Sequence, residues 1–176
     1  GVAVHRKVYR EFVDRFVARA KTLAVGDGLD PATQMGPSVS QSQLDTVMRY
    51  VEIGQKEGAT LAYGGHRLAD GAHGQGHFHE PTVFIDVTPF MRIEQEEIFG
   101  PVVSVIPCTS FDEAVVIANG VEYGLSASIY TRDINQAFRA MRDLQTGLFY
   151  VNAPTIGAEI HLPFCATKNT GNGHRE

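Results

Sequence analysis

Between Val102 and Val151 the chain alternates strand, helix, strand, helix and strand, and this order leaves few ways to fold. Val102 to Ile106 is a short apolar run of the kind buried on both faces of a sheet. Ser110 and Glu113 have capping-box spacing and open a helix that stops at Asn119-Gly120. Leu125 to Tyr130 is the next strand. Asp133 then caps a helix whose Ile134, Phe138, Met141 and Leu144 form one face, with Gly147 as the stop and Leu148 to Val151 as the last strand. Strands separated by helices of this length join in parallel through right-handed crossovers. The predicted fold is α/β, a parallel-type sheet with helices on both faces and these three strands mutually parallel. Ligands of such sheets bind beyond the carboxyl ends of the strands, so Asn152 and the loop from Ala153 to Lys168 are expected to face a crevice.

The upstream half is less regular. A helix is predicted over about Arg6 to Leu23, with Val8, Phe12, Phe16, Val17 and Leu23 near one face, before Gly26, Gly28 and Pro31 break the period. Ser40 and Gln43 repeat the capping-box spacing, and the stripe Leu44, Val47, Met48 and Val51 follows in a helix running down to Gly58. Thr60 to Tyr63 and Thr82 to Val87 read as a strand and its return. The stretch from His66 to His79, rich in Gly and His, joins them as an exposed hairpin loop. No internal repeat is present and no linker divides the chain. The tail from Asn152 to Glu176 has little regular pattern, as expected of a segment that lines a site or packs on a partner.

A length of 176 residues fits one domain. The charge of -5, from 15 basic and 20 acidic residues without a basic run, argues against a nucleic-acid partner. No window reaches the roughly 18 apolar residues of a membrane helix, and no secretory signal pattern opens the chain. Cys108 and Cys165 are too few for a secreted disulfide framework, so a cytoplasmic location is expected. His73, His77, His79 and Glu80 lack the tight paired spacing of a zinc site, and no metal is expected.

Glu96-Glu97-Ile98-Phe99-Gly100-Pro101 carries a carboxylate two residues before an aromatic ring, then Gly-Pro to turn the backbone. A carboxylate can accept both hydroxyls of a ribose, at about 1.5–3 kcal/mol per charge-assisted bond. The ring offers a flat apolar surface. On these six residues alone, a solvated carboxylate pair beside a core Phe is as good a reading. The hexapeptide is preceded by Pro81-Thr82-Val83-Phe84 and followed by Asn152, Pro163-Phe164, Lys168, Gly171, Gly173 and Glu176. With Met35-Gly36-Pro37, Glu57-Gly58-Ala59 and Tyr123-Gly124-Leu125, these landmarks in register resemble the aldehyde dehydrogenase superfamily over essentially the whole chain.

That resemblance implies a partial catalytic domain over residues 1–176, from an oxidoreductase that converts an aldehyde to a carboxylate with NAD or NADP. By similarity, Glu97 holds the nicotinamide ribose and Phe99 touches the ring. Ile156, His161 and Phe164 line the substrate funnel, and the stretch Asn152 to Glu159 looks most like branches that oxidise semialdehydes. In the family the nucleophilic thiol, the carboxylate base and the phosphate-binding turn precede the strand and helix with which this chain begins. A strand that joins subunits follows the point where it ends. The resemblance therefore implies no catalytic residue here, weak or no cofactor binding by this chain alone, and a homo-oligomer built with the rest of the enzyme. The alternative is a non-catalytic truncated paralogue acting as a subunit-interaction module.

Cys165-Ala166 stands where the family usually has Gly-Gly, so strain or a shifted loop is expected there. As a nucleophile Cys165 would need an activating neighbour, and His161 is the nearby candidate; an inert small hydrophobe is the expected role. The isolated chain is predicted not to oxidise aldehydes. NADH formation from acetaldehyde or a semialdehyde above the uncatalysed rate, abolished by Cys165→Ala, would contradict this.

Overall fold

The computed structural model describes residues 1–157 and 163–171. They form two compact units, Gly1–Cys108 and Thr109–Glu176. The first contains β1 (Val2–His5), α1 (Arg6–Ala20), α2 (Gln41–Lys56), β2 (Thr60–Tyr63), β3 (Thr82–Ile85), the short α3 (Arg92–Gln95) and β4 (Val102–Cys108). Its sheet runs in the order β1-β4-β3-β2. β4 is parallel to both β1 and β3, whereas β2 is antiparallel to β3 with a register shift between Leu61 and Tyr63. The sheet is therefore mixed, not wholly parallel, because the link from Tyr63 to Thr82 is a hairpin.

Alternation along the strands sends side chains to two helical layers. Val83 and Val105 pack with Val4, Val13 and Ala20 on the α1 face. Phe84 points the other way, toward α2. A β-carbon at Gly54 would stand 3.0 Å from the Phe84 ring and 3.1 Å from Ile93, so glycine lets that helix lie close. Helices thus cover both faces, as the pattern predicted. In detail α1 turns its predicted stripe by part of a turn: Val13 and Ala20 are buried while Val8 is exposed.

The hairpin link departs from a plain exposed loop. It contains a 3-10 turn over Gly71–Gln75 and an antiparallel bridge between Arg67 and His79. Phe78 and His79 are buried, and burial lowers the His79 pKa. Three of its histidines bond different acceptor atoms: His73 Nε2 donates to Val25 O at 2.9 Å, His79 Nδ1 donates to Glu80 O at 2.9 Å, and His66 meets the Glu80 carboxylate at 3.0 Å. Among the described residues, no three His, Cys, Asp or Glu side chains are grouped to hold a metal ion.

The second unit contains α4 (Phe111–Asn119), β5 (Tyr123–Gly124), β6 (Ser126–Ile129), α5 (Ile134–Asp143), β7 (Leu148–Val151) and β8 (Thr167–Lys168). β6 and β7 are parallel, as predicted, from Ser126 opposite Leu148 to Ile129 opposite Val151. β4 belongs to the other sheet and does not extend this pair. The tail, read as irregular, supplies β8, which pairs antiparallel with β5. The inner face of α5 is turned by about a quarter turn from the predicted stripe. Ala137 and Ala140 are buried, while Ile134, Phe138 and Met141 are 65%, 60% and 55% exposed. The small alanines pack inward, and a two-stranded sheet is too narrow to cover the wider stripe as well.

One buried group in the first unit opposes stability. The Glu94 side chain is only 7% exposed, and its Oε2 has no hydrogen-bond partner among the described residues. Burial raises its pKa above the ordinary carboxylate value. The folded state then holds this proton more tightly than the unfolded one, so its contribution falls as pH rises from the unfolded value through the folded one. Glu94→Met, of similar length and without polar atoms, should stabilise the chain at pH 8 by about 1–3 kcal/mol, the usual cost of an unsatisfied buried polar group. Urea unfolding of both proteins at pH 5 and pH 8 should show a smaller gain at the lower pH. An equal or absent gain would contradict this account.

Candidate functional site

Glu96 to Pro101 leaves α3 and enters β4, and each of its residues is held differently. Glu96 is fully engaged. Arg92, one turn earlier, grips it with Nε and Nη2 at 2.7 and 2.9 Å, and the Tyr50 hydroxyl donates to it at 2.6 Å. The Arg92 guanidinium, helped by Tyr50, pulls its pKa down to about 2. The same bond raises the Tyr50 pKa. Glu97 is exposed and has no hydrogen bond or ion pair within the described residues. Ile98 is buried and anchors the segment.

Phe99 adopts a left-handed backbone at φ 54°, a costly conformation for a bulky residue, and its ring is 80% exposed. Gln43 secures this kink: its side-chain amide donates to the Ile98 and Phe99 carbonyls, both at 3.0 Å. The capping box predicted for Ser40 and Gln43 is therefore half formed. The Ser40 hydroxyl accepts from the Gln43 amide at 3.2 Å, but the Gln43 side chain reaches across to the motif and not back to the cap. A β-carbon on Gly100 would meet Val47 at 2.5 Å, so that position is confined to glycine by close approach. Val102 N bonds Gly100 O at 2.8 Å around Pro101, and the chain turns directly into β4. The core-Phe alternative does not describe Phe99.

In the second unit Asn152 follows β7 at φ 55° and is consumed as a brace. Its Oδ1 accepts from Thr131 N at 2.9 Å, and its Nδ2 donates to Thr131 O at 3.0 Å. The Ser128 hydroxyl donates to Ala153 O at 2.6 Å, so the carboxyl ends of β6 and β7 are tied together. Tyr130, Thr131, Arg132 and Asn152 line an open depression at those ends. Of the predicted substrate-lining residues, Ile156 is 80% and Phe164 47% exposed, and His161 lies outside the described residues. Cys165 and Ala166 do not carry a left-handed φ, so no backbone strain accompanies the loss of the family glycines. The crowding falls on Gly147, whose β-carbon would collide with the Cys165 carbonyl.

Tyr50, Gln43 and Arg92 were not marked as site residues from sequence. The Arg92–Glu96 pair was visible as an i, i+4 spacing, but nothing local to Tyr50 or Gln43 betrays partners about fifty residues away. Loss of the grip on Glu96 should be measurable directly. Arg92→Gln is expected to move the Glu96 carboxyl titration from about 2 toward the ordinary range, as followed by carbon NMR of the carboxyl group. Because the folded pKa is depressed, whatever stability this group contributes is present above the unfolded value and lost as pH falls toward about 2. A Glu96 titration unchanged in Arg92→Gln would overturn the assignment.

The chain as a whole has close relatives. The aldehyde dehydrogenase family model matches residues 2–176. An α-ketoglutarate semialdehyde dehydrogenase of Haloferax volcanii is 48% identical over 169 residues, covering 96% of this chain and 35% of that protein. A betaine aldehyde dehydrogenase of Brucella anthropi is 42% identical over 98% of this chain and 35% of its own length. A crystal structure of Staphylococcus aureus betaine aldehyde dehydrogenase in complex with NAD+ superposes with a TM-score of 0.94 at 33% identity, over 98% of this chain and 34% of that one. The chain thus spans about a third of the length of these relatives. With the match running from end to end, the chain belongs to the aldehyde dehydrogenase family.

Proposed function

We propose that this chain is the portion of an NAD(P)-dependent aldehyde dehydrogenase that contacts the nicotinamide half of the cofactor and part of the aldehyde. The observation that carries this is the division of labour between adjacent carboxylates. Glu96 is occupied by Arg92 and Tyr50, leaving Glu97 exposed and without a partner among the described residues, beside a ring turned outward by a left-handed residue. An unpaired carboxylate accepts two vicinal hydroxyls well, and an exposed flat ring suits a nicotinamide. These residues therefore fit the sugar and ring of NAD or NADP. When bound, that cofactor supplies the hydride acceptor. The role of this chain is to orient it: Glu97 fixes the ribose, and Phe99 limits the motion of the ring.

On the substrate side, Phe164 and Ile156 line the approach of a small aldehyde, and His161, assigned to the same funnel by similarity, lies outside the described residues. The similarity to α-ketoglutarate semialdehyde dehydrogenases supports a semialdehyde, oxidised to the carboxylate. We further propose a cytoplasmic homo-oligomer. The nucleophile and base come from the remainder of that enzyme.

The test is made in the complete enzyme. Glu97→Gln keeps the shape and removes the charge assistance, a loss of about 1–2 kcal/mol. Cofactor affinity should weaken by roughly 5- to 30-fold, since about 1.4 kcal/mol is tenfold. Phe99→Ala should slow hydride transfer by misplacing the ring, with little effect on later acyl-enzyme hydrolysis. Unchanged cofactor Kd and unchanged burst rate in both variants would identify the motif as scaffold.

A further inference from the structure

We infer that Lys168 is a positioning residue that fixes where Phe164 stands, by clasping the loop that carries Phe164 to the end of α4. Its ammonium donates to Asn119 O at 2.8 Å and to Val121 O at 2.9 Å. Those carbonyls lie at and just past the carboxyl end of a nine-residue helix, where orphaned acceptors and the helix dipole both favour a cation. Lysine suits this place because a compact ammonium presents three donors to carbonyls that are not coplanar.

The flanking residues bind the same turn. The Thr167 hydroxyl lies 3.0 Å from Gln145 O and 3.1 Å from Gly124 O and donates to either. Asn169 N donates to Glu122 O at 3.0 Å, and Thr170 Oγ1 accepts from Gly124 N at 2.8 Å. Four successive residues, Thr167 to Thr170, therefore bond the platform formed by Asn119–Gly124 and Gln145. On the Phe164 side of the clasp, the Cys165 carbonyl is seated on Gly147, where no β-carbon fits. Lys168 itself is held at φ 55°, a backbone cost that persists only where surrounding contacts fix the conformation. Only two residues, Cys165 and Ala166, separate Phe164 from the clasp at Thr167 to Thr170, so freedom at Lys168 becomes displacement of the ring.

The chain contains no tryptophan, so Phe164→Trp, at a half-exposed position, creates a single reporter. In that background Lys168→Met keeps the apolar stem and removes the donors. Acrylamide quenching of Trp fluorescence is expected to rise about twofold or more, with far-UV circular dichroism and the melting curve unchanged. Lys168→Arg, which keeps a cation and donors, should recover most of the parent value. Should Lys168→Met fail to fold, Lys168→Gln serves as the second uncharged variant. Quenching that is the same in the uncharged variants as in the parent, or raised as much by Lys168→Arg, overturns the inference. The inference rests on Phe164 lining the aldehyde, yet the two fail separately: quenching reads only the clasp. The aldehyde reading fails if Phe164→Ala leaves the aldehyde KM and kcat of the complete enzyme unchanged.

Discussion

Burial of β4 on both faces is the constraint from which the candidate cofactor contact is built. Val105 and Ile106 are sealed on opposite sides of the strand, and its two edges are filled by β1 and β3. A strand enclosed in this way has no freedom of register, because a slip by one residue would exchange its two faces. Its one buried hydroxyl, Ser104, must find a partner, and it donates to Ile93 O at 3.1 Å. That bond pins α3 to the sheet. Since α3 carries Arg92 at its start and Glu96 just after its end, the sheet fixes the position of the Arg92–Glu96–Tyr50 cluster.

From there the chain must cover the short distance from Glu96 back to Val102 while presenting one ring to solvent. A left-handed Phe99 accomplishes this at a cost of roughly 1–2 kcal/mol. Two bonds from Gln43, each contributing about 1 kcal/mol, are enough to offset it. The balance depends on α2 being correctly seated, because Gln43 lies in its first turn and Val47, the neighbour of Gly100, in its second. The kink is thus a tertiary product. An isolated peptide with the same hexapeptide has no Gln43 amide to hold it open.

This explains how much was legible in the sequence. Caps at Ser40, Ser110 and Asp133 were readable because each acts on an amide two or three residues away. Strands β4 and β7 were readable because their runs are short, β-rich and largely apolar, with Ser104 the one polar side chain between Val102 and Ile106. Glu97 and Phe99 could be singled out by spacing and family likeness, but the outward turn of Phe99 could not, since it is held by Gln43 from another helix. The face of α5 was misjudged for a related reason. Periodicity identifies Ile134, Phe138 and Met141 as a stripe, but it does not say whether a two-stranded sheet has room for them. Where two alanines give closer packing, the larger residues are left outside.

The second unit handles a similar difficulty with hydrogen bonds in place of a deep core. Its β6–β7 pair is narrow, and few of its side chains are fully buried. Order is imposed at the ends of elements: Asn152 and Ser128 join the carboxyl ends of the two strands, and the Asn119 side chain bonds Asp143 O and Gln145 N at 2.8 Å each. Bonds of this kind are directional where apolar burial is not. A loop fixed by them has a defined position without being enclosed, so its side chains stay open to a ligand. Phe164 stands in such a loop, half-exposed beside a backbone that Gly147 admits and Thr167 to Thr170 hold in place. The same arrangement accommodates side chains at Cys165 and Ala166. The close approach is made by the Cys165 carbonyl against Gly147, and no left-handed backbone is demanded of either residue.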